Sequence, residues 1–308
     1  FLKCFCCDAS PEWYWKSCVE IVRNNAIYIY GENVNIFEIH ENIMTDMRTF
    51  FRATIPEKVA PSDVDKAIDT ICPEPLIQFK PGYDGGDTID MLCNEKILHP
   101  DLAAIFAPDM KLHRHQSQAL RLGASDRGFV VTSGTGSGKS LTFLATIIND
   151  ILKHPEKSGV RAIIVYPMNA LVNSQTKEIE EHKSNWERVK GAFPVTFAQY
   201  TGQEQGQLRE SIRREPPHIL LTNYMMLEYI LTRASDQDVR TAILKNLKYL
   251  VYDELHTYRG RRGSDVAMLN RRIRALTDTE VVCIGTSATM VSDDGGSKRD
   301  EIVARVAT

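Results

Sequence analysis

The sequence predicts an α/β fold, a parallel sheet with helices on both faces, and three observations lead there. Six short apolar runs recur from about residue 128 onward, amphipathic helical stretches lie between several of them, and a glycine-rich segment ends the first run. Strands that alternate with helices imply parallel pairing, with both sheet faces covered. The strand candidates are GFVVTS (128–133), RAIIVYP (161–167), VTFAQYT (195–201), HILLTNY (218–224), LKYLVYDE (247–254) and EVVCIGTSA (280–288). Between the first two, Leu141 to Lys153 carries Leu144, Ile147, Ile148 and Ile151 on one helical stripe.

The first third has a different texture. Trp13, Tyr14 and Trp15 precede an alternating run AIYIY, a GEN turn and VNIFEI, which together read as a β-hairpin. The two tryptophans read as core or interface residues ahead of a base-stacking role. Helices are expected around 41–52 and 62–71, the second opened by Ser62 with Asp65 in capping-box spacing. From Cys72 to Gly86, prolines and glycines mark a connector.

Charge divides the chain at the same place. Net charge is −3, yet residues 1–110 hold 9 Lys+Arg against 18 Asp+Glu, leaving 28 against 22 for residues 111–308. The expected organisation is therefore an acidic α+β accessory region over 1–110, possible end of an upstream domain, followed by a basic α/β lobe over 111–308. Phe1 in place of Met suggests that the numbered chain begins inside a longer polypeptide. No run reaches the eighteen or so apolar residues that span a bilayer, and the start is neither a signal nor a transit peptide, so a cytoplasmic setting without membrane contact is expected. Seven cysteines are an odd number for a disulfide framework. Four of them, Cys4, Cys6, Cys7 and Cys18, crowd the start without a CxxC pair, which favours incidental thiols over the edge of a zinc site.

Chemistry concentrates at the predicted strand ends, where ligands bind in parallel α/β sheets. Ser133-Gly134-Thr135-Gly136-Ser137-Gly138-Lys139-Ser140 follows the first strand and opens into a helix. Small residues let successive N–H groups converge on phosphate oxygens, Lys139 can reach the β/γ-phosphates, and Ser140 offers a hydroxyl to Mg²⁺. The strict pattern has glycine where Ser133 stands. Asp253-Glu254-Leu255-His256 ends a buried strand, where two adjacent carboxylates are costly unless they have work. Asp253 would hold Mg²⁺ through water and Glu254 would orient and deprotonate the attacking water. Together the two sites specify a nucleoside triphosphatase.

With these motifs in order, residues 111–291 resemble the first RecA-like lobe of a superfamily 2 DEAD/DEAH-type helicase, in which DELH is a DExH variant. Ser287-Ala288-Thr289 matches the SAT motif that links hydrolysis to nucleic-acid movement. The resemblance implies that Gln116 reads the adenine edge, although a glutamine near a helix start also serves as an ordinary polar surface residue. His113 and His115 read as packing or capping groups, and His256 belongs to the catalytic motif. Pro167, Asn169 and Ala170, with Gln175 beyond, resemble a phosphate-gripping motif. Asn169 stands where threonine is usual. Thr201-Gly202 and Thr222-Asn223 occupy the places of two further nucleic-acid-gripping motifs, the second without its usual proline.

Arg259, Arg261 and Arg262 are expected to precede a helix whose apolar face is Val266, Leu269, Ile273 and Leu276. For them, phosphate contact and a solvated basic surface remain equal readings. HTYRG followed by GSDVA is similar to bacterial MrfA-type DNA helicases, which carry a C-terminal cysteine-rich zinc domain and whose relatives serve DNA repair or antiphage defence. That resemblance implies ATP, Mg²⁺ and DNA, single-stranded or duplex with a single-stranded tail. It also implies a second RecA-like lobe of the same polypeptide, expected outside this chain, and a defence or repair partner protein. The competing readings are a restriction-type translocase subunit and an ATP-gated clamp that does not unwind.

Overall fold

The computed structural model describes residues 27–29, 32–34, 36–54, 60, 62–63, 65–66 and 83–288, except 135 and 205. The expectations for the N-terminal cysteines, Trp13 and Trp15, most of the 62–71 helix, residues 72–82 of the connector, Thr135 and Thr289 lie outside them. The chain divides into two compact units, Phe1–Gly82 and Tyr83–Thr308.

In the first unit, β1 (Ile27–Ile29) pairs antiparallel with β2 (Glu32–Val34), so the hairpin forms, but shorter than the alternation suggests. Helix α1 (Ile36–Thr54) starts five residues before the expected 41 and takes the IFEI stretch out of the strand. Four apolar-rich residues satisfy either period, and continuity with the helical run to Thr54 decides it.

The second unit opens with β3 (Gly85–Thr88) and α2 (Ile89–Asn94), and β3 pairs antiparallel with β4 (Lys111–His113). Ile89, Leu92, Leu98, Leu102 and Leu112 are fully or almost fully buried in the same core as Phe129 and Ile284. The expected boundary at 110/111 therefore falls inside this unit, which begins 28 residues earlier. Charge is a property of the surface, whereas the boundary is set by which apolar side chains share a core.

After α3 (Arg114–Ala124) come the six expected strands: β5 (Phe129–Thr132), β6 (Ala162–Tyr166), β7 (Phe197–Gln199), β8 (Ile219–Asn223), β9 (Tyr249–Tyr252) and β10 (Val282–Ser287). They form one sheet in the order β5-β10-β9-β6-β8-β7, every pairing parallel. Period-two alternation splits each central strand between two cores. Ile164, Ile219, Leu221 and Val251 face one side with α4 (Lys139–Lys153) and α5 (Asn169–Lys190). Ile163, Val165, Leu220 and Leu250 face the other with α6 (Gln207–Arg214), α7 (Tyr224–Thr232), α8 (Gln237–Asn246) and α9 (Gly260–Leu276). No helix among the described residues is long and apolar enough to cross a membrane.

This strand order sorts the motifs. The loops after β5, β10 and β9 stand side by side, and those after β6, β8 and β7 follow along the same edge.

Candidate nucleotide and strand site

The loop after β5 owes its shape to two glycines. Gly136 and Gly138 adopt φ values of 74° and 69°, in the left-handed region that side chains rarely enter. Gly138 is also the N-cap of α4, so the loop turns directly into the helix and leaves the helix's first N–H groups facing outward. Lys139 folds back over the loop, its Nζ donating to Ser133 O and Gly134 O at 2.9 Å each. Ser133, which replaces the usual leading glycine, puts its hydroxyl 2.5 Å from that of Ser137. The Ser140 hydroxyl makes no hydrogen bond with the described residues, and the residue stands half-buried beside Lys139.

Gln116 is buried and committed on both ends. Its Oε1 accepts from His113 N at 2.8 Å, while its Nε2 donates to Ser137 O at 3.3 Å and Gly138 O at 3.0 Å. His115 Nε2 lies 3.2 Å from the same Ser137 carbonyl, and burial pulls the pKa of its imidazole below the ordinary value. The side chain expected to read adenine is here the brace between the start of α3 and the phosphate loop, because a buried amide needs partners and the loop's inward carbonyls need donors. Tyr83, which no motif singles out, rests against His113 and His115 with ring centroids 5.0 and 5.3 Å away.

Asp253 stands just past the end of β9 and is half-buried. Burial raises its pKa, while a hydrogen bond from the Thr286 hydroxyl and the Lys139 charge act the other way. Glu254 sits at φ 52°, a left-handed conformation for a residue with a side chain. Backbone strain of this kind persists only where the surroundings hold it. Its Oε2 lies 3.2 Å from His256 Nδ1, and that same nitrogen lies 3.2 Å from Ser287 Oγ. Ser287 also accepts Ser133 N at its carbonyl, 3.2 Å away. One residue at the end of β10 thus touches both the phosphate loop and the acidic motif. Ala288 follows it in a bend.

The donors suit a magnesium nucleotide: the Ser140 hydroxyl in the first turn of α4, the Asp253 carboxylate just past β9, a lysine with no carboxylate partner among the described residues, and glycines that make an anion nest. Among the described residues no group of three His, Cys, Asp or Glu is placed to hold a metal on protein ligands alone.

The other half of the edge is tied together by its own polar groups. Asn223 Oδ1 caps α7 by accepting from Met226 N at 2.8 Å, and its Nδ2 donates to Asn169 Oδ1 at 2.8 Å. The Thr222 hydroxyl donates to Tyr200 O at 2.6 Å. Thr201 N, Thr201 Oγ and Gly202 N all donate to the Glu204 carboxylate, at 2.7, 2.8 and 2.9 Å. These side chains lock three loops in register, and Pro167 and Ala170 flank Asn169 at the start of α5. Gln175 Oε1, on the same helix, is buried with no hydrogen-bond partner among the described residues.

Arg259 is the N-cap of α9, which begins at Gly260. Arg261 and Arg262 therefore lie in the helix's first turn, where they were expected to precede it. Gly260, at φ 58°, lets the chain turn into the helix that early. All three arginines are exposed.

A glycine-cornered phosphate loop, an acidic pair and a serine joining them on three adjacent parallel strands define a RecA-like P-loop nucleotide-binding lobe. The DEAD/DEAH box helicase family matches residues 113–294, more than half of the chain, and the chain belongs to that family. It is 32% identical over 193 residues to the uncharacterized ATP-dependent helicase MJ1574 of Methanocaldococcus jannaschii, covering 59% of this chain and 27% of that protein. It is 27% identical over 345 residues to the Druantia protein DruE of Escherichia coli, covering 75% of this chain. The chain thus spans only 27% and 19% of these two relatives. The crystal structure of the helicase MrfA bound to DNA superimposes with a TM-score of 0.60 at 24% identity, over 74% of this chain and 28% of MrfA, a likeness of fold.

Proposed function

We propose that this chain is the ATP-binding motor lobe of a DNA helicase or translocase, coupling ATP hydrolysis to movement along or unwinding of DNA in DNA repair or antiphage defence. The observation that carries the reading is Ser287, which contacts Ser133 of the phosphate loop and His256 of the acidic motif from the strand between them. A change at the γ-phosphate end of such a loop has a short covalent and hydrogen-bonded route to the neighbouring strand ends.

Gly134, Thr135, Gly136, Ser137 and Gly138 would offer backbone N–H groups to the nucleotide's phosphates, and Lys139 would leave Ser133 and Gly134 to meet them. Ser140 and Asp253 would hold Mg²⁺, which supplies neutralising charge at the reacting phosphate. Glu254 accepts the proton of the attacking water as its oxygen bonds to the γ-phosphorus, and ADP departs with the electron pair of the broken bond. Gln116 holds the loop's far wall and would have to release Ser137 or Gly138 to read adenine fully. Pro167, Asn169, Ala170, Thr201, Gly202, Thr222 and Asn223 shape the strand-facing half of the edge. Arg259 and Arg261 stand at a helix N-terminus, where an anion is favoured twice over. The likeness in fold to MrfA bound to DNA and to Lhr bound to single-stranded DNA supports DNA as the polymer.

The test compares ATPase rate and strand separation by the protein carrying this chain on single-stranded DNA, tailed duplex DNA and RNA. DNA-stimulated turnover is expected. Stimulation by RNA alone would overturn the choice of polymer, and binding without turnover would favour the clamp.

A further inference from the structure

Beside the loops after β7 and β8 lies a cleft of about 380 Å³, lined among others by Thr201, Gly202, Asn223, Arg209, Tyr229 and Arg233. Its rim contains the residues that were expected to grip a strand, yet their polar groups are spent. The Thr201 and Gly202 N–H groups point at the Glu204 carboxylate, and the Asn223 amide is shared between the α7 cap and Asn169. Among the described residues, an anion reaching this place finds no free backbone nest.

It finds side-chain cations instead. The Arg233 guanidinium stacks over the Tyr229 ring, 3.9 Å from the centroid, and has no carboxylate within ion-pair distance among the described residues. Arg209 donates from Nε to Tyr200 Oη at 3.1 Å and lies 3.7 Å from the Asp236 carboxylate. That single, fully buried carboxylate also holds Arg213 at 2.7 Å, so two guanidiniums face one acid and a positive charge is left over at the cleft wall. Arg209 also lines an adjoining cleft of about 460 Å³ along α6, where Arg213 and Arg214 stand with the carboxylates of Glu210 and Asp238, so this second cleft is of mixed charge. Both arginines at the first cleft are pre-aimed, one by an aromatic ring and one by a tyrosine hydroxyl, which lowers the ordering cost of a contact.

We propose that this cleft is a phosphate-binding subsite of the strand track, with Arg233 and Arg209 as its ligands and Tyr229 as the residue that positions Arg233. It rests on the nucleic-acid reading above. The ligand chemistry is a phosphate oxygen, met by guanidinium forks, and the source the site fits is the backbone of a single strand. The cleft continues the line of strand-end loops, and it opens toward a second cleft along α6 instead of closing around one small ion. Sequence-independent binding with a strong salt dependence is the expected behaviour.

The experiment measures equilibrium binding of fluorescent single-stranded oligonucleotides, of several sequences, by the protein carrying this chain across a salt series. The variants are Arg233→Ala and Tyr229→Ala, with Lys139→Ala as a control that removes no proposed strand contact. Arg233 is exposed, so its replacement leaves the fold intact, and a thermal melt checks this. Arg233→Ala is expected to weaken binding about 3- to 10-fold for every sequence and to reduce the slope of log K against log salt by about 0.7, the value of one lost phosphate contact on a single strand. Tyr229→Ala retains the charge and is expected to weaken binding less, with the slope unchanged. Unaltered affinity and slope in Arg233→Ala, while the wild type binds tightly, would overturn the subsite and leave the strand reading standing. No strand binding by the wild type would overturn both. Inorganic phosphate at matched ionic strength should compete equally poorly with wild type and Arg233→Ala; selective displacement from the wild type would mean a small-anion pocket and would also sink the proposal.

Discussion

Alanine at position 138 tests the link between the phosphate loop and Gln116 quantitatively. Two costs follow from the geometry. At φ 69° a side chain incurs the left-handed penalty of about 1–2 kcal/mol. A Cβ at this position would also come well inside the 3.0 Å that real Cβ atoms keep from their neighbours, against Gln116 Nε2, so the amide must move. Moving it breaks its bonds to Ser137 O and Gly138 O, each worth about 0.5–1.5 kcal/mol net. The total is about 3 kcal/mol, or a fall in Tm of about 6–12 °C for a unit of this size. Gly136, at φ 74° with open space around it, bears the strain alone. Gly136→Ala should therefore cost only about 1–2 kcal/mol.

The assay is denaturant or thermal unfolding of Gly136→Ala, Gly138→Ala, Gln116→Ala and the double variant Gln116→Ala/Gly138→Ala. Because removing the amide removes the obstacle, the double variant should be more stable than the sum of the single losses by about 1–2 kcal/mol. Equal losses at 136 and 138, or strict additivity with Gln116→Ala, would refute the idea that Gln116 braces the loop.

Three further expectations follow from other parts of the lobe. Asp150 is buried with Arg161 at 2.5 Å and Lys248 at 2.7 Å; Asp150→Ala strands the buried Arg161, while Lys248 keeps Asp126 at 2.7 Å, and should cost about 3 kcal/mol in an unfolding experiment. Burial pushes the Asp150 carboxyl up, but the hydrogen bonds from Lys248 and Arg161 outweigh it and hold the pKa below the ordinary 3.8, so this stability is present above that pH and is lost as pH falls below it. Acid titration followed by circular dichroism should lose its steepest part in a variant without the network. Thr286→Val removes the hydroxyl that favours ionised Asp253, whose pKa burial has already raised; the acid limb of Mg²⁺-dependent activity should therefore move to higher pH, and an unmoved limb would argue against Asp253 as the metal-linked carboxylate.

What could be read from the sequence followed from strong local patterns. All six sheet strands were legible because runs such as Ala162–Tyr166 are apolar throughout, as strands covered on both faces must be. The phosphate loop and DELH were legible because their residue types serve chemistry that few other arrangements serve. Other features depended on contacts between distant parts of the chain. Ile89 and Leu92 lie on a helix of six residues, too short to show a period, so the step in charge at 110/111 drew the boundary in the wrong place. Arg209, Tyr229 and Arg233 belong to no motif; only the fold of α6 and α7 around the loop after β7 brings them to one cleft. Gln116 was found, but its partners were not, since a glutamine's spacing from the loop does not say whether it faces a ligand or the loop itself. Likewise Glu204 stands three residues past Thr201, an unremarkable spacing until its carboxylate is seen to accept the Thr201 and Gly202 N–H groups.

The most direct test of the account is one pair of measurements on Glu254→Gln in the protein carrying this chain: ATP binding, and ATP turnover in the presence of single-stranded DNA. ATP and DNA are expected still to bind while DNA-stimulated turnover is abolished, since the proposed roles leave the nucleotide to Lys139, Ser140 and Asp253 and only the activation of water to Glu254. Turnover close to that of the wild type, or loss of nucleotide binding, would contradict it.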